Sequence, residues 1–337
     1  MGTLARPAST EIQLMQKFTD ADREQYTALT QKFGIVDWSD RTTIAITGTD
    51  RIEFLNNLST QNVKSLTAGD GCETFFCNVQ GKILAYAFLF CEPDRIVLHT
   101  VPGQAEPLMA HIDKYIIMES VELEDLTAKT AQLMVAGPEA EKVLGKLMKE
   151  ALPSDPLKHV AAEFGDLAGV SVTVVRSDVL GAATFSVVVE AAAKESVANL
   201  LRSAGGVDCK AAVAETVRIE NRFPFFGQEI SENSLPQEVG RDEQAISFTK
   251  GCYLGQETVA RIDALGHVNW QLVRLDFKSD ADVAAGMEVV ADGKPVGNVT
   301  SVSWSPANEA PVALARVRRE VQAGSEVSVA DRAAMVA

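Results

Sequence analysis

The sequence predicts an α+β protein: two similar lobes, each a sheet with helices outside it, followed by a small antiparallel β-barrel. Three observations carry this. A strand-Gly-acid-helix unit occurs twice at matched spacing, a β-hairpin pattern follows each copy, and the C-terminal part breaks into short apolar runs punctuated by Gly, Pro, Asn and Asp.

In chain order, residues 1–43 form a helical segment expected to pack on the second lobe. Ile12, Leu14, Met15, Phe18, Tyr26, Leu29 and Phe33 recur at loosely helical spacing there, interrupted by the polar T-D-A-D-R-E, so one or two short helices are predicted. The first lobe, 44–130, opens with T-T-I-A-I-T, a strand ending at Gly48, and R-I-E-F-L-N-N-L-S, a helix capped by Thr49 or Asp50. The second lobe, 131–265, repeats the unit in A-Q-L-M-V-A-G-P-E-A-E-K-V-L-G-K-L, where proline suits the first helical turn. Gly48 stands 7 and 10 residues before Leu55 and Leu58, as Gly137 does before Leu144 and Leu147.

Hairpins are predicted to turn at Gln80-Gly81 and near Asp178 to Gly181, and residues 105–118 and 191–203 supply each lobe's second helix. The barrel, 266–337, contains Q-L-V-R-L-D-F, M-E-V-V, K-P-V-G-N-V-T-S-V and V-A-L-A-R-V, with one last strand after Gly324. Arg218 and Glu220 alternate in R-I-E, read here as a strand with Ile219 facing the other way.

The chain's 337 residues suffice for two or three domains. With 31 Lys and Arg against 46 Asp and Glu, the net charge of −15 repels phosphate backbones and anionic membranes, so neither nucleic acid nor membrane is an expected partner. No apolar run approaches the roughly 20 residues that span a bilayer. The start, M-G-T-L-A-R, has neither a secretory pattern nor the Ser or Thr of a myristoylation signal at Arg6. Five cysteines, at 72, 77, 91, 209 and 252, contain no C-x-x-C pair, and the expectation is a reducing cytoplasm.

No P-loop, dinucleotide fingerprint, Ser-His-Asp arrangement or metal-binding spacing occurs, and His99, His111, His159 and His267 are scattered. The candidate chemistry lies in T-K-G-C-Y-L-G-Q-E-T-V-A-R-I, Thr249 to Ile262. Its exit reads as a short helix or the start of a strand. As a helix, it sets Cys252 before an N-terminus beside Lys250, an arrangement that favours thiolate. A second reading makes Cys252 a small buried hydrophobe in a turn shaped by Gly251 and Gly255. Glu220 is similarly open: a carboxylate accepting paired N–H donors of a planar heterocycle, or half of an ordinary ion pair with Arg218. Glu257 and Arg261, four apart, suit a structural helical pair.

K-G-C-Y-L-G-Q-E resembles the K-G-C-Y-x-G-Q-E signature of the YgfZ-type folate-binding proteins, relatives of the glycine cleavage T-protein. The resemblance extends to R-I-E at 218–220, G-Q-E at 227–229, L-P-Q-E at 235–238, V-A-R at 259–261, the G-x-D-x-x-x-F-L unit at 48–55 and G-N-V-T-S at 297–301. It implies three domains in a ring around a central hole. Tetrahydrofolate, or a one-carbon derivative, is expected in that hole with no metal, Glu220 holding the pterin and Cys252 as the catalytic thiol facing the same cavity. Arg218, Lys250, Tyr253 and Gln256 would complete the cofactor site.

The implied role is maturation or repair of iron-sulfur enzymes, including ones that modify tRNA, with those clients or their assembly factors as partners of a monomer. Two alternatives stand beside it: a T-protein-type aminomethyltransferase, and a folate-binding scaffold without chemistry. The aminomethyltransferases carry G-G-I-x-D-D after the first hairpin turn, with an aspartate that assists release of the methylene unit. Here the residues are G-K-I-L-A-Y, Gly81 to Tyr86, and a transferase would need a replacement carboxylate such as Asp178 or Glu229.

Overall fold

A computed structural model describes residues 18–337 apart from 166, 168 and 182. The expected helical positions Ile12, Leu14 and Met15 lie outside the described residues. Helix α1 (Asp20–Gln31) starts at a capping box, in which Thr19 Oγ1 accepts from the Asp22 amide and Asp22 Oδ2 accepts from the Thr19 amide. Strand β1 (Gly34–Asp37) follows, an element the sequence pattern does not reveal. It is short, and its three buried residues in a row carry no alternation to read.

The first sheet comprises β2 (Thr42–Thr47), β3 (Gly71–Cys77), β4 (Ile83–Cys91), β5 (Ile96–Thr100) and β6 (Glu122–Asp125), in the order β3-β4-β5-β2-β6. Helices α2 (Arg51–Leu58) and α3 (Ala105–Asp113) cover one face, where Ile44, Ile46, Leu55, Leu58 and Leu108 share a core. The second sheet takes β7 (Thr130–Ala136), β8 (His159–Glu163), β9 (Ser171–Ser177), β10 (Thr184–Glu190) and β11 (Val207–Cys209), and it recruits β1: the order is β11-β1-β7-β10-β9-β8. Helices α4 (Ala140–Leu147) and α5 (Lys194–Ser203) cover its outer face, while α6 (Ala211–Glu220) and α1 pack on the other.

The duplicated turn has one physical cause. Gly48 and Gly137 both take positive φ, +97° and +113°. A Cβ on Gly48 would fall 2.0 Å from the Ser120 carbonyl oxygen, and one on Gly137 would fall 2.4 Å from that of Lys32. In the first copy Asp50 does occupy the N-cap of α2, but its Oδ2 accepts from the Ser120 amide at 2.7 Å instead of capping the helix.

Beyond α6 come α7 (Asp242–Ala245) and α8 (Gln256–Leu265), then a closed antiparallel barrel of β12 (Trp270–Phe277), β13 (Glu288–Ala291), β14 (Lys294–Ser305), β15 (Ala310–Arg318), β16 (Glu326–Val329) and β17 (Arg332–Val336). Two lobes and a C-terminal barrel are therefore the architecture, as the sequence predicts.

Local expectations need correction. The R-I-E segment is helical, because it ends the run A-A-V-A-E-T-V-R-I-E, whose alanines favour helix over ten residues while the alternation covers only three. For V-A-R-I, where helix and strand are both open, the helical reading holds. The second helix of the first lobe stops at Asp113, not 118. The tail makes two paired strands, not one: Ala330 and Asp331 both adopt positive φ, 47° and 61°, in a tight hairpin turn that lacks the usual Asn-Gly signal.

Arg218 fastens the barrel to the lobes. Fully buried, it pairs with Glu215 at 2.5 Å and Glu229 at 2.9 Å and donates to Ser301 Oγ of β14 at 3.2 Å. Nearby, Thr216 Oγ1 meets Ser303 Oγ at 2.6 Å, and Ile219 packs with Val312 and Leu314.

Candidate functional site

The loop Gly251–Gly255 leads into α8 and lies against the first lobe. Its second glycine is needed there: Gly255 has φ +83°, and a Cβ would stand 2.6 Å from the Asn78 carbonyl oxygen of the β3–β4 hairpin. Gly251 meets nothing within 4 Å and has no such steric reason. Lys250 Nζ donates to the carbonyls of Asn56, Ser59 and Gln61 at 2.5, 2.8 and 2.7 Å, closing the C-terminal end of α2. Burial pushes its ammonium down to about 8.

The Tyr253 ring is buried under Lys250, 5.1 Å from Nζ. Gln256 opens α8, its Nε2 3.5 Å from the Gly251 carbonyl. Among the cysteines only Cys252 is exposed, which corrects the reading of it as a buried hydrophobe. It lines a groove of about 920 Å³ with Asn57, Tyr115, Lys250 and Tyr253. No ion pair joins Glu257 to Arg261, both exposed.

Glu220 is not among the residues that line the groove holding Cys252. Glu220 ends α6 at the junction of α1 and the barrel, where Tyr26 donates to Oε2 at 2.9 Å and Ser305 donates to Oε1 at 2.6 Å. Burial raises its carboxyl, against those two hydrogen bonds. Arg218 points into the cluster with Glu215 and Glu229 and has no nitrogen to offer a ligand.

The G-K-I-L-A-Y hairpin places Ala85 in the core beneath α2 and Tyr86 on the opposite, inter-lobe face. Tyr86 donates to Glu73, which is paired with Arg241; Arg241 reaches Asp178 of the second lobe at 3.0 Å. Burial pushes the Glu73 carboxyl up, opposed by Arg241 and Tyr86. Of the two replacement carboxylates, Glu229 is committed to Arg218 and Ser301, and Asp178 is held by Arg241.

The hollow at the meeting of lobes and barrel has other walls. A cleft of about 620 Å³ runs between the 237–242 segment, the C-terminal half of α8 and the start of β12. Asp242, Asp263, Arg222, His267 and Arg319 line it. Asp242 Oδ1 is buried without a hydrogen-bond partner. Burial, then the charges of Asp263 and Glu243, push its carboxyl up to about 6. Sequence reasoning missed this set, since single Asp and Arg residues spread over a hundred positions form no motif. A buried carboxylate lacking a donor, opposite exposed guanidiniums, suits a ligand with a planar N–H edge and an anionic tail. Among the described residues no cluster of three metal-ligating side chains occurs, and no helix is long and apolar enough to cross a membrane.

Comparison with known proteins gives the family context. Residues 4–250 match the model of the GCVT N-terminal domain, and residues 271–337 match that of the glycine cleavage T-protein C-terminal barrel domain. The chain is 27% identical over 315 residues to a chloroplastic protein of Arabidopsis thaliana named as a transferase, covering 93% of this chain and 72% of that one. It is 29% identical over 306 residues to the aminomethyltransferase of Streptomyces avermitilis, covering 88% and 81%. The crystal structure of the glycine cleavage system aminomethyltransferase T of Bartonella henselae superimposes with a TM-score of 0.82 at 20% identity, covering 94% and 87%.

Proposed function

The chain belongs to the glycine cleavage T-protein family, and on that footing we propose that it binds tetrahydrofolate, or a one-carbon derivative, in the cleft between lobes and barrel. The observation that carries this reading is the unpartnered, buried Asp242 Oδ1 on the wall of a hollow of about 620 Å³. That volume lies within the roughly 300–1,000 Å³ range of small-molecule sites. Asp242 would accept from the pterin's amino and ring N–H donors, and Arg222 and Arg319 would face the glutamate carboxylates. Tetrahydrofolate supplies, when bound, the nitrogens that carry a one-carbon unit. The chain's own part is to hold and orient it.

Within this reading the protein serves iron-sulfur enzymes as an accessory factor, presenting the exposed Cys252 just before the N-terminal end of α8, whose C-terminal half lines the cleft. Support for that finer role is the motif and the exposure of its thiol. A second reading, folate-dependent aminomethyl transfer, is favoured by the names of the relatives. It lacks the expected base, because Tyr86 stands on the inter-lobe face of the hairpin and the neighbouring Glu73 is tied to Arg241. Incubation with aminomethyl-loaded lipoyl carrier protein and tetrahydrofolate separates the two. The accessory reading expects no turnover, and methylene-folate formed at enzymatic rates would replace it with the transferase.

A further inference from the structure

The L-P-Q-E stretch contributes a single 3₁₀ turn, Pro236–Glu238, to the wall of the cleft of about 620 Å³. Its glutamate is committed: Glu238 Oε2 accepts from the Leu235 amide at 3.1 Å and from Arg316 at 2.9 Å. Its glutamine is only half committed. Gln237 Nε2 donates to the carbonyl of the buried Val259 in α8 at 2.7 Å, whereas Gln237 Oε1 is buried with no hydrogen-bond partner.

That amide has one orientation. Turned over, it would set its oxygen against the Val259 carbonyl oxygen, so the bond to α8 fixes Oε1 as an acceptor. The cleft wall therefore carries two buried acceptor atoms that lack donors, Gln237 Oε1 and Asp242 Oδ1. Buried acceptors in that state are costly, and a ligand bringing an N–H to each removes the cost.

Resting on the folate-binding reading, we infer that Gln237 selects the oxidation state of the pterin: Oε1 accepts from the ring N8–H, a donor that exists only in reduced folates. Asp242 cannot make this distinction, because the amino and N3–H donors assigned to it are the same in folic acid, dihydrofolate and tetrahydrofolate. N8 differs. It carries a lone pair in folic acid and a hydrogen in both reduced forms, and it lies on the same side of the bicycle as the amino group. Opposite N8–H, the fixed oxygen gains its missing hydrogen bond; opposite a lone pair it is repelled and stays unsatisfied. The bond to Val259 keeps the amide from rotating to offer its NH₂ group instead. Sites built around such an acceptor reject an analogue lacking the donor far more strongly than an apolar pocket rejects a missing methylene.

The test is calorimetric titration of the full chain with tetrahydrofolate, 7,8-dihydrofolate and folic acid. The two reduced ligands should bind comparably and folic acid about tenfold or more weaker, a ranking that needs no variant. Gln237→Met keeps the reach of the side chain and removes the acceptor. It should weaken both reduced ligands about tenfold and leave folic acid nearly unchanged, so the preference collapses, whereas a purely structural role would weaken all three alike. Tetrahydrofolate is also puckered where folic acid is flat, and a preference set by shape alone would persist in Gln237→Met. Equal affinity of the parent for all three, dihydrofolate grouping with folic acid, or a preference undiminished in Gln237→Met would overturn the inference and leave the folate reading in place. Binding of none of the three would overturn that reading and this inference together.

Discussion

Asp242 is a carboxyl at odds with its surroundings, with one buried oxygen that has no hydrogen-bond partner. A carboxyl normally ionises near 3.8, yet here burial and two neighbouring acids hold it up to about 6. The folded state therefore keeps a proton that the unfolded chain releases. The stability this lends is fully present below pH 3.8 and is lost as pH rises through 6. Asp242→Asn should then melt higher than the parent at pH 8, by about 1 kcal/mol after allowing for partial solvent screening, and the gap should close near pH 3.5. Thermal unfolding at the two pH values measures it; an equal melting temperature at pH 8 would contradict the assigned environment. Such a cost at a cleft wall is common where a carboxyl awaits a donor. Little of this is visible in the sequence. Cys252 and Lys250 stand out because glycines and a long motif frame them, whereas Asp242 owes its character to burial in the fold and then to Asp263, contributed by another helix. Arg218 misleads for the same reason: its partners Glu229 and Ser301 are brought to it by the fold.

At the scale of elements, the motif loop is a clamp between α2 and α8. Three carbonyls at the C-terminal end of α2 take their donor from Lys250, and Gly255 allows α8 to begin against the first hairpin. Lys250→Met should cost about 2 kcal/mol, since buried carbonyls lose a charged donor, and should unlock the loop that displays Cys252. Denaturant unfolding with thiol-labelling rates checks both: slower or unchanged labelling of Cys252 would contradict the clamp. The repeated strand-Gly-helix units were legible because each needs a glycine with positive φ at the same place, and that need is local. The R-I-E helix, strand β1 and the final hairpin were not. Three alternating residues are too few to outweigh helix propensity, and the Ala330–Asp331 turn uses residues that carry no turn signal.

The whole molecule is two lobes joined across a central core, with a barrel fastened to the second lobe by Arg218 and contributing the start of β12 to the wall of the 620 Å³ cleft. Lobes and barrel were legible from composition and spacing, because those signals repeat along the chain. Where the hollows fall was not, for each is lined by segments far apart in sequence. The resemblance sets the pterin at Glu220, whose oxygens accept from Tyr26 and Ser305, whereas Asp242 Oδ1 has no donor. Calorimetric titration of tetrahydrofolate into the parent, Asp242→Asn and Glu220→Gln decides between them most directly. The cleft account predicts one site in the parent, affinity weakened about tenfold or more in Asp242→Asn, and near-parent affinity in Glu220→Gln. The reverse order, with Glu220→Gln crippled and Asp242→Asn unchanged, would contradict it.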